Sequence, residues 1–428
     1  MIKLLSFLCY TYFMVGDFMK KRRLKKSVKI FLICFPIVIL LIILIIPKKE
    51  KVYMESFVGK AKEEIIEFCK LKECEVKFNY DYDINTDENK IIKQSKKTGS
   101  ELKKNEIIEI TISKGINYDI YKENNVNELG RVPIMMYHGI IDKKSEETSY
   151  TGGNVDKDGY QRTYEAFVED LEFYYKNGYR MVRLIDYVNG KIDCELGKSP
   201  IVLTFDDGLA NAIKVTGLDT NGEIMIDPHS AIGILESFKK KYPDYKVTAT
   251  FFLNAGLFQQ KEYNDKIIEW VIKNGYDIGN HTYSHADLTK TSEEGTIKEI
   301  GRMYNLLKSK TDKFVNIVAL PYGTPYNANH QNFKHVLNGT YEGETYTTIS
   351  ALRVGWESDY SPFSTSFNPN FIKRIRAYDN NGQDFDIAYN FKFLETRRFI
   401  SDGNPNTIVV KKENLQYVNG KNLKIIDY

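Results

Sequence analysis

The stretch Ile201-Val202-Leu203-Thr204-Phe205-Asp206-Asp207-Gly208 decides the fold. A short, unbroken apolar run bounded by a turn signal reads as a strand buried on both faces. Two carboxylates follow it without a spacer. Adjacent acids at a strand exit are costly to bury unless positive charge meets them, and a metal ion would serve. Working outward, residues 132–137, 247–253, 276–279 and 314–320 read as further strands. Helical patterns lie between them. Residues 163–177 place Phe167, Leu171 and Tyr174 at helical spacing, with Gly178 as the stop. Residues 265–274 form a helix closed by Gly275, and residues 292–308 a helix capped by Ser292, with Ile297, Ile300, Tyr304 and Leu307 inside. Lys-Asn-Gly-Tyr occurs at Lys176 and again at Lys273, each time as a helix exit into a strand. Such alternation favours a parallel α/β architecture, barrel or open sheet, with functional residues at the carboxyl ends of the strands.

The polar clusters fall at those ends. Strand 276–279 exits into Asn280-His281-Thr282-Tyr283-Ser284-His285, and strand 314–320 into Pro321-Tyr322-Gly323. One helical turn would put His281 and His285 on one side. Two histidines and Asp207 make a plausible triad for a divalent ion such as zinc, with room left for water. Each cluster has a plainer reading: paired Asp residues start turns, and an HxxxH pair is often structural. Three signals at three successive strand exits are hard to assign to coincidence.

Thr204 to Gly208, His281 to His285 and Pro321-Tyr322-Gly323 together resemble the motifs of the polysaccharide deacetylase family (NodB-homology domain, carbohydrate esterase family 4). Met135-Met136-Tyr137-His138-Gly139 resembles the entry strand of many members. The resemblance spans residues 131–428. It implies a distorted (β/α) barrel and metal-dependent hydrolysis of N-acetyl groups on sugars. Carried over, Asp206 is the general base, Asp207, His281 and His285 are the metal ligands, and the Tyr322 backbone N–H helps hold the oxyanion. Pro321, Tyr322 and Trp356 are expected to line the sugar site, Trp356 having a core position as its alternative. Zinc is the expected ion, with cobalt, nickel or manganese also able to occupy such a site.

Two departures from the family stand out. Its usual Arg two residues before the motif Pro is Ala319 here, leaving Arg353, Arg374 or Arg376 as substitutes. Its usual late His is missing, since no His follows His335. A proton donor for the leaving amine then has to be His138, a water, Asp359 or Asp402. His138 has three readings: a satisfied buried histidine, a polar pocket group, or that donor. His229, after Asp227-Pro228, reads as structural.

Upstream of the deacetylase-like region the chain changes character. Of 428 residues, 42% are hydrophobic and 27% charged, with 30 Tyr and 24 Phe, which excludes wholesale disorder. Net charge is +3, but residues 20–29 hold seven basic side chains and no acid, so the remainder carries −4. A nucleic-acid binder would carry its positive charge on the folded part, so no nucleic-acid partner is expected. Residues 30–46 are an uncharged apolar run, long enough to span a bilayer as a helix. The basic block keeps residues 1–29 cytoplasmic by the positive-inside rule, with residues 30–47 as a transmembrane anchor and the rest outside. A cleaved signal peptide is the rival, but Pro47-Lys48-Lys49-Glu50 is not a small-residue cleavage site. Met19, just before the basic block, reads as the start of translation.

Residues 51–116 read as a small α+β module. A helix is expected over 62–71 and strands over 75–80, 90–94 and 106–113. Phe57-Val58-Gly59, Gln94-Ser95, Gly99 and Ile110 to Gly115 resemble a PASTA domain, which implies a cell-wall-binding module or a spacer. Cys69 and Cys74 read as two separate buried thiols, with a disulfide as the alternative that an extracellular site would permit. Residues 117–130, polar and Asn-rich, read as a linker.

Two functions remain on these grounds. One is a membrane-anchored enzyme removing N-acetyl groups from a cell-envelope glycan, foremost N-acetylglucosamine of peptidoglycan, with another N-acetylated polysaccharide, chitin-like oligomers or an O-acetylated glycan as alternatives. The other is a non-catalytic glycan-binding protein on a degenerate deacetylase scaffold.

Overall fold

The computed structural model of the chain describes residues 51–142 and 154–428. The basic block and the expected anchor at 30–47 lie outside the described residues. Among the described residues no helix is long and apolar enough to cross a membrane. The chain divides into two compact units, with the break after Asn117.

The first unit runs β1 (Val52–Tyr53), α1 (Lys62–Lys72), β2 (Glu75–Asp81), β3 (Ile91–Gln94), β4 (Glu101–Leu102) and β5 (Ile107–Ser113). β5 is central, parallel to β2 and antiparallel to β3, while β1 and β4 pair separately. Alternation in β5 buries Ile108, Ile110 and Ile112 against Ile65 and Phe68 of α1. The expected helix and three strands are present within a residue or two; the two-residue strands β1 and β4 carry too little pattern to read. Cys69 and Cys74 are joined in a disulfide, which corrects the reading of separate thiols. Glu73 ends α1 in a left-handed conformation, and the Cys74 N–H turns back to the Cys69 carbonyl. That turn brings the two Cα atoms to 4.5 Å, within bonding range.

The second unit opens with α2 (Tyr118–Glu123), β6 (Ile134–Tyr137), the short pair β7 (Ile140–Ile141) and β8 (Arg162–Thr163), and α3 (Tyr164–Lys176). It continues through β9 (Tyr179–Met181), α4 (Leu184–Asn189), β10 (Ser199–Phe205), the hairpin β11 (Val215–Leu218) and β12 (Ile224–Ile226), and α5 (Ala231–Lys241). Then come β13 (Thr250–Leu253), α6 (Asn264–Lys273), β14 (Asp277–Asn280), α7 (Glu293–Lys310), β15 (Ile317–Ala319) and α8 (Phe333–Leu337). The hairpin β16 (Asn338–Tyr341) and β17 (Glu344–Thr347), β18 (Ser350–Leu352), β19 (Ile375–Arg376), α9 (Ile387–Leu394), β20 (Thr407–Val410) and β21 (Lys424–Asp427) complete it. The expected helices are in place. Thr163 and Ser292 cap α3 and α7, each accepting from the backbone N–H three residues on. Both Lys-Asn-Gly-Tyr segments end helices alike: Asn177 and Asn274 bond back four residues, and Gly178 and Gly275 take positive φ.

The main sheet is parallel, in the order β18-β15-β14-β13-β10-β6-β19. Its two edges are drawn together by residues 372–376. Ile372 bridges Leu352 of β18, and Ile375 pairs with Met135 of β6. β10 is buried along its whole length. Ile201, Leu203 and Phe205 face one apolar layer with Tyr137 and Phe251, while Val202 faces a second layer with Phe252 and Ile317. Alternation past Val202 therefore aims Thr204 and Asp206 to the side opposite Phe205. Phe205 stacks between Tyr137 and Phe251, with ring centroids 5.4 and 5.0 Å apart.

Residues 117–130 are not a free linker. α2 lies within them, and Tyr121, Val126 and Glu128 are buried. The Glu128 carboxylate accepts from the Val409 and Asp402 N–H groups, and Asn127 bridges Ile400. Polar composition hid these pairings because their partners lie some 280 residues away.

Candidate active site

The sequence motifs meet where β10, β14 and β15 end. Asp206 N–H bonds the Tyr137 carbonyl, which puts His138 and Asp206 side by side on neighbouring strands. Asp206 is 2% exposed. Its cation is Arg374, fully buried, whose Nη1 and Nη2 each lie 2.7 Å from a carboxylate oxygen. Arg374 Nη1 also reaches Thr204 Oγ1, and Nε donates to the Arg353 carbonyl. Of the three arginines open as substitutes, Arg374 is the one that meets Asp206. Arg353 instead pairs with Glu357, and Arg376 donates to the Gly159 carbonyl. Gly355 permits the arrangement, because a Cβ there would overlap the Arg374 carbonyl. Burial pushes the Asp206 carboxyl toward its neutral form. The Arg374 charge and hydrogen bonds, together with the charges of His281 and His138, outweigh this and hold its pKa below the usual value.

Asp207 turns away from Arg374 and toward the histidines. Its Oδ1 lies 3.1 Å from His281 Nε2 and 3.2 Å from His285 Nε2. His281 and His285 do converge, but not on a helical turn. Thr282 and His285 both have left-handed backbone, so the segment is a tight loop. Asp207 and Tyr322 are left-handed as well. Four such non-glycine residues in one site store about 1 kcal/mol or more each. Gly208 is fixed by sterics: a Cβ would stand 1.9 Å from the Leu257 carbonyl oxygen.

These residues fit a divalent cation. His281 Nδ1 lies 2.9 Å from the Ala319 carbonyl oxygen, which can only accept, so Nδ1 carries the proton and Nε2 presents a lone pair. Asp207 Oδ1 is buried without a hydrogen-bond donor. One ligand atom from each of Asp207, His281 and His285 falls within 4.8 Å of the others. Lone pairs crowded this way repel unless positive charge lies among them. Burial lowers the proton affinity of His281, yet the Asp206 and Asp207 charges raise it above the ordinary value, the mark of a pocket that favours a cation.

The other expected residues are placed as follows. Pro321 is buried at the start of a 3₁₀ turn; Tyr322 is 57% exposed, its ring 4.8 Å from that of His285. His138 is lowered in pKa by burial against the opposing pull of Asp206 and Asp207, and its ring meets Tyr160 at 5.2 Å. Trp356 is half exposed beneath the Arg353 guanidinium, and among the described residues no hydrogen bond or ring contact ties it to the triad. Asp359 pairs its backbone with Val132, and Asp402 serves Thr407 and Asn404, both toward the amino ends of the strands. Neither is placed to protonate a leaving group beside Asp206. His335 pairs with Glu293, and His229 with Asp142.

Sequence reasoning did not anticipate Arg162. Almost fully buried, it bonds Asp170 and Asp379, and Asp170 also accepts from the Tyr137 hydroxyl. Asn154 joins the same Asp379 carboxylate. The network pins the segment before α3 to β6, the strand that leads into His138. A basic residue before an amphipathic helix gives no sign of this in sequence.

Residues 194–338 match the polysaccharide deacetylase family model, and residues 52–114 match the PASTA domain model. The chain is 30% identical over 123 residues to the peptidoglycan-N-acetylmuramic acid deacetylase PdaC of Bacillus subtilis, covering 29% of this chain and 21% of that protein. It is 29% identical over 126 residues to a peptidoglycan-N-acetylglucosamine deacetylase of Bacillus cereus, covering 29% of this chain and 37% of that one. The chain thus spans well under half the length of these relatives. Among solved structures, Streptococcus pyogenes deacetylase PplD in complex with acetate aligns over 63% of this chain and 99% of its own, with 18% identity and a TM-score of 0.43. The second unit carries a polysaccharide deacetylase domain, and the first unit carries a PASTA domain.

Proposed function

We propose that the protein is a metal-dependent deacetylase that removes N-acetyl groups from cell-wall glycan, foremost N-acetylglucosamine of peptidoglycan. The observation that carries this reading is the division of labour between adjacent acids. Arg374 keeps Asp206 charged, while Asp207 faces the Nε2 atoms of both histidines. The names of the relatives, which are peptidoglycan deacetylases, support the choice of substrate.

Asp207, His281 and His285 would hold the ion, zinc by donor set, with cobalt, nickel or manganese as alternatives. When bound, it supplies Lewis-acid polarisation of the acetyl carbonyl and acidifies water. Asp206 takes the proton as water attacks the carbonyl carbon. Arg374 fixes the carboxylate's orientation and charge for that step. The Tyr322 backbone N–H donates to the oxyanion of the tetrahedral intermediate. His138 relays to the departing amine the proton that Asp206 has taken from water: it is adjacent to Asp206, and the rival acids lie toward the other end of the strands. The products are acetate and a free amine.

In this reading the apolar run at 30–46 holds the protein to the membrane, the amino terminus is cytoplasmic, and the catalytic domain faces the wall. The PASTA domain binds wall glycan or spaces the enzyme from the bilayer. The test is acetate release from N-acetylated peptidoglycan by the zinc-loaded protein. Acetate that disappears on chelation and in Asp206→Asn supports the enzyme. Stoichiometric metal without acetate from any glycan returns the non-catalytic binding protein.

A further inference from the structure

We propose that Tyr160 is a stacking platform for a sugar next to the one being deacetylated, so that the site takes interior residues of an N-acetylhexosamine oligomer. The inference rests on the deacetylase reading above for the position of the reacting sugar. Tyr160 lies beside His138, with ring centroids 5.2 Å apart, and 46% of the residue is open to solvent. An exposed aromatic ring normally moves freely, but this one is backed. The Arg376 guanidinium sits 4.4 Å from its centroid and 4.7 Å from that of Tyr378. Arg376 also donates to the carbonyl of Gly159, the preceding residue. Behind it, the Arg162–Asp379–Asn154 network fixes both ends of the segment that presents the ring. A rigid aromatic with a cation against it and open surface beside a polar pocket suits the C–H face of a pyranose.

The second half of the argument is where Tyr160 stands relative to Tyr322. Along the sheet the order is β15, β14, β13, β10, β6. Tyr322 follows β15 and packs on His285, while Tyr160 packs on His138 after β6. Asp206 and Asp207 follow β10 and lie between. Two exposed tyrosines thus flank the reacting centre on opposite sides. A monosaccharide would engage one flank. A chain of three or more sugars laid across the end of the barrel would engage both.

The experiment uses the full-length protein carrying Asp206→Asn, so that the ligand survives. Binding of N-acetylglucosamine tetramer and monomer is measured by calorimetry, with Tyr160→Ala, Tyr160→Phe and Arg376→Met added separately and Tyr417→Ala as a surface control. Zinc affinity is measured in each variant to show that the triad is intact. The expected result is a loss of about tenfold in tetramer affinity for Tyr160→Ala, near-full retention for Tyr160→Phe, and an intermediate loss for Arg376→Met. Zinc affinity and monomer binding should change less than twofold. Equal tetramer affinity in Tyr160→Ala and the parent overturns the platform, as does a parent that keeps its zinc affinity yet binds no tetramer. Should the parent bind tetramer through Tyr160 while the enzyme with Asp206 restored releases no acetate, the deacetylase reading fails and the platform stands.

Discussion

Arg374 grips Asp206 through both terminal guanidinium nitrogens at 2.7 Å, and neither residue is appreciably exposed. Removing one partner strands the other charge in a dry interior, which costs about 3–5 kcal/mol. Arg374→Gln should therefore lower stability by that amount in urea titration. It should also lower kcat far more than zinc affinity, since the triad ligands are untouched. Arg374→Lys keeps the charge but loses the two-pronged geometry, and should fall between.

Asp207→Ala should abolish stoichiometric zinc, read by metal analysis after dialysis. In the parent, zinc at 100 times its Kd should raise stability by about 2.7 kcal/mol. The same addition should leave the melting temperature of Asp207→Ala unchanged.

Asp359 sets a pH dependence of stability that is separate from catalysis. Burial pushes its carboxyl up to about 7. An acid whose folded pKa is raised binds its proton more tightly folded than unfolded. Its contribution to stability is complete below the unfolded carboxylate range and falls as pH rises toward 7. Thermal melts from pH 4 to 8 should show this decline in the parent and a shallower one in Asp359→Asn. An identical slope in the two proteins would remove Asp359 as its source.

The Cys69–Cys74 bond closes a very short loop at the end of α1. By chain-entropy reasoning it stabilises the first unit by about 2 kcal/mol. Replacing both cysteines by serine should cost that much. Non-reduced protein should resist alkylation at both positions.

Strong local signals made much of the deacetylase domain legible. The run 201–205 and the acids behind it needed only alternation and burial, α3 was bounded by its Gly178 stop, and α7 by Ser292, because caps act within one turn. The triad was legible for the same reason: its members sit directly after strands. Arg374 was not. It precedes a two-residue strand with no apolar pattern, and only parallel register with β6 brings it to a carboxylate 168 positions earlier. The conformation between His281 and His285 was misread because spacing of four suits a helix and a tight loop equally. The packing of residues 117–130 was missed because Tyr121 and Val126 are isolated apolar positions in polar surroundings.

The segment 372–376 does two jobs at once. It bridges β18 at one end and β6 at the other, and it carries Arg374 between them. Closing the seam and arming the nucleophile's proton acceptor are therefore a single event. The three ligands follow β10 and β14, outside that seam, so a molecule with the seam ajar would lose the Arg374 contact to Asp206 without losing a ligand. Such a molecule would sequester metal without turning over. Under the proposed function, turnover thus requires the seam to be closed.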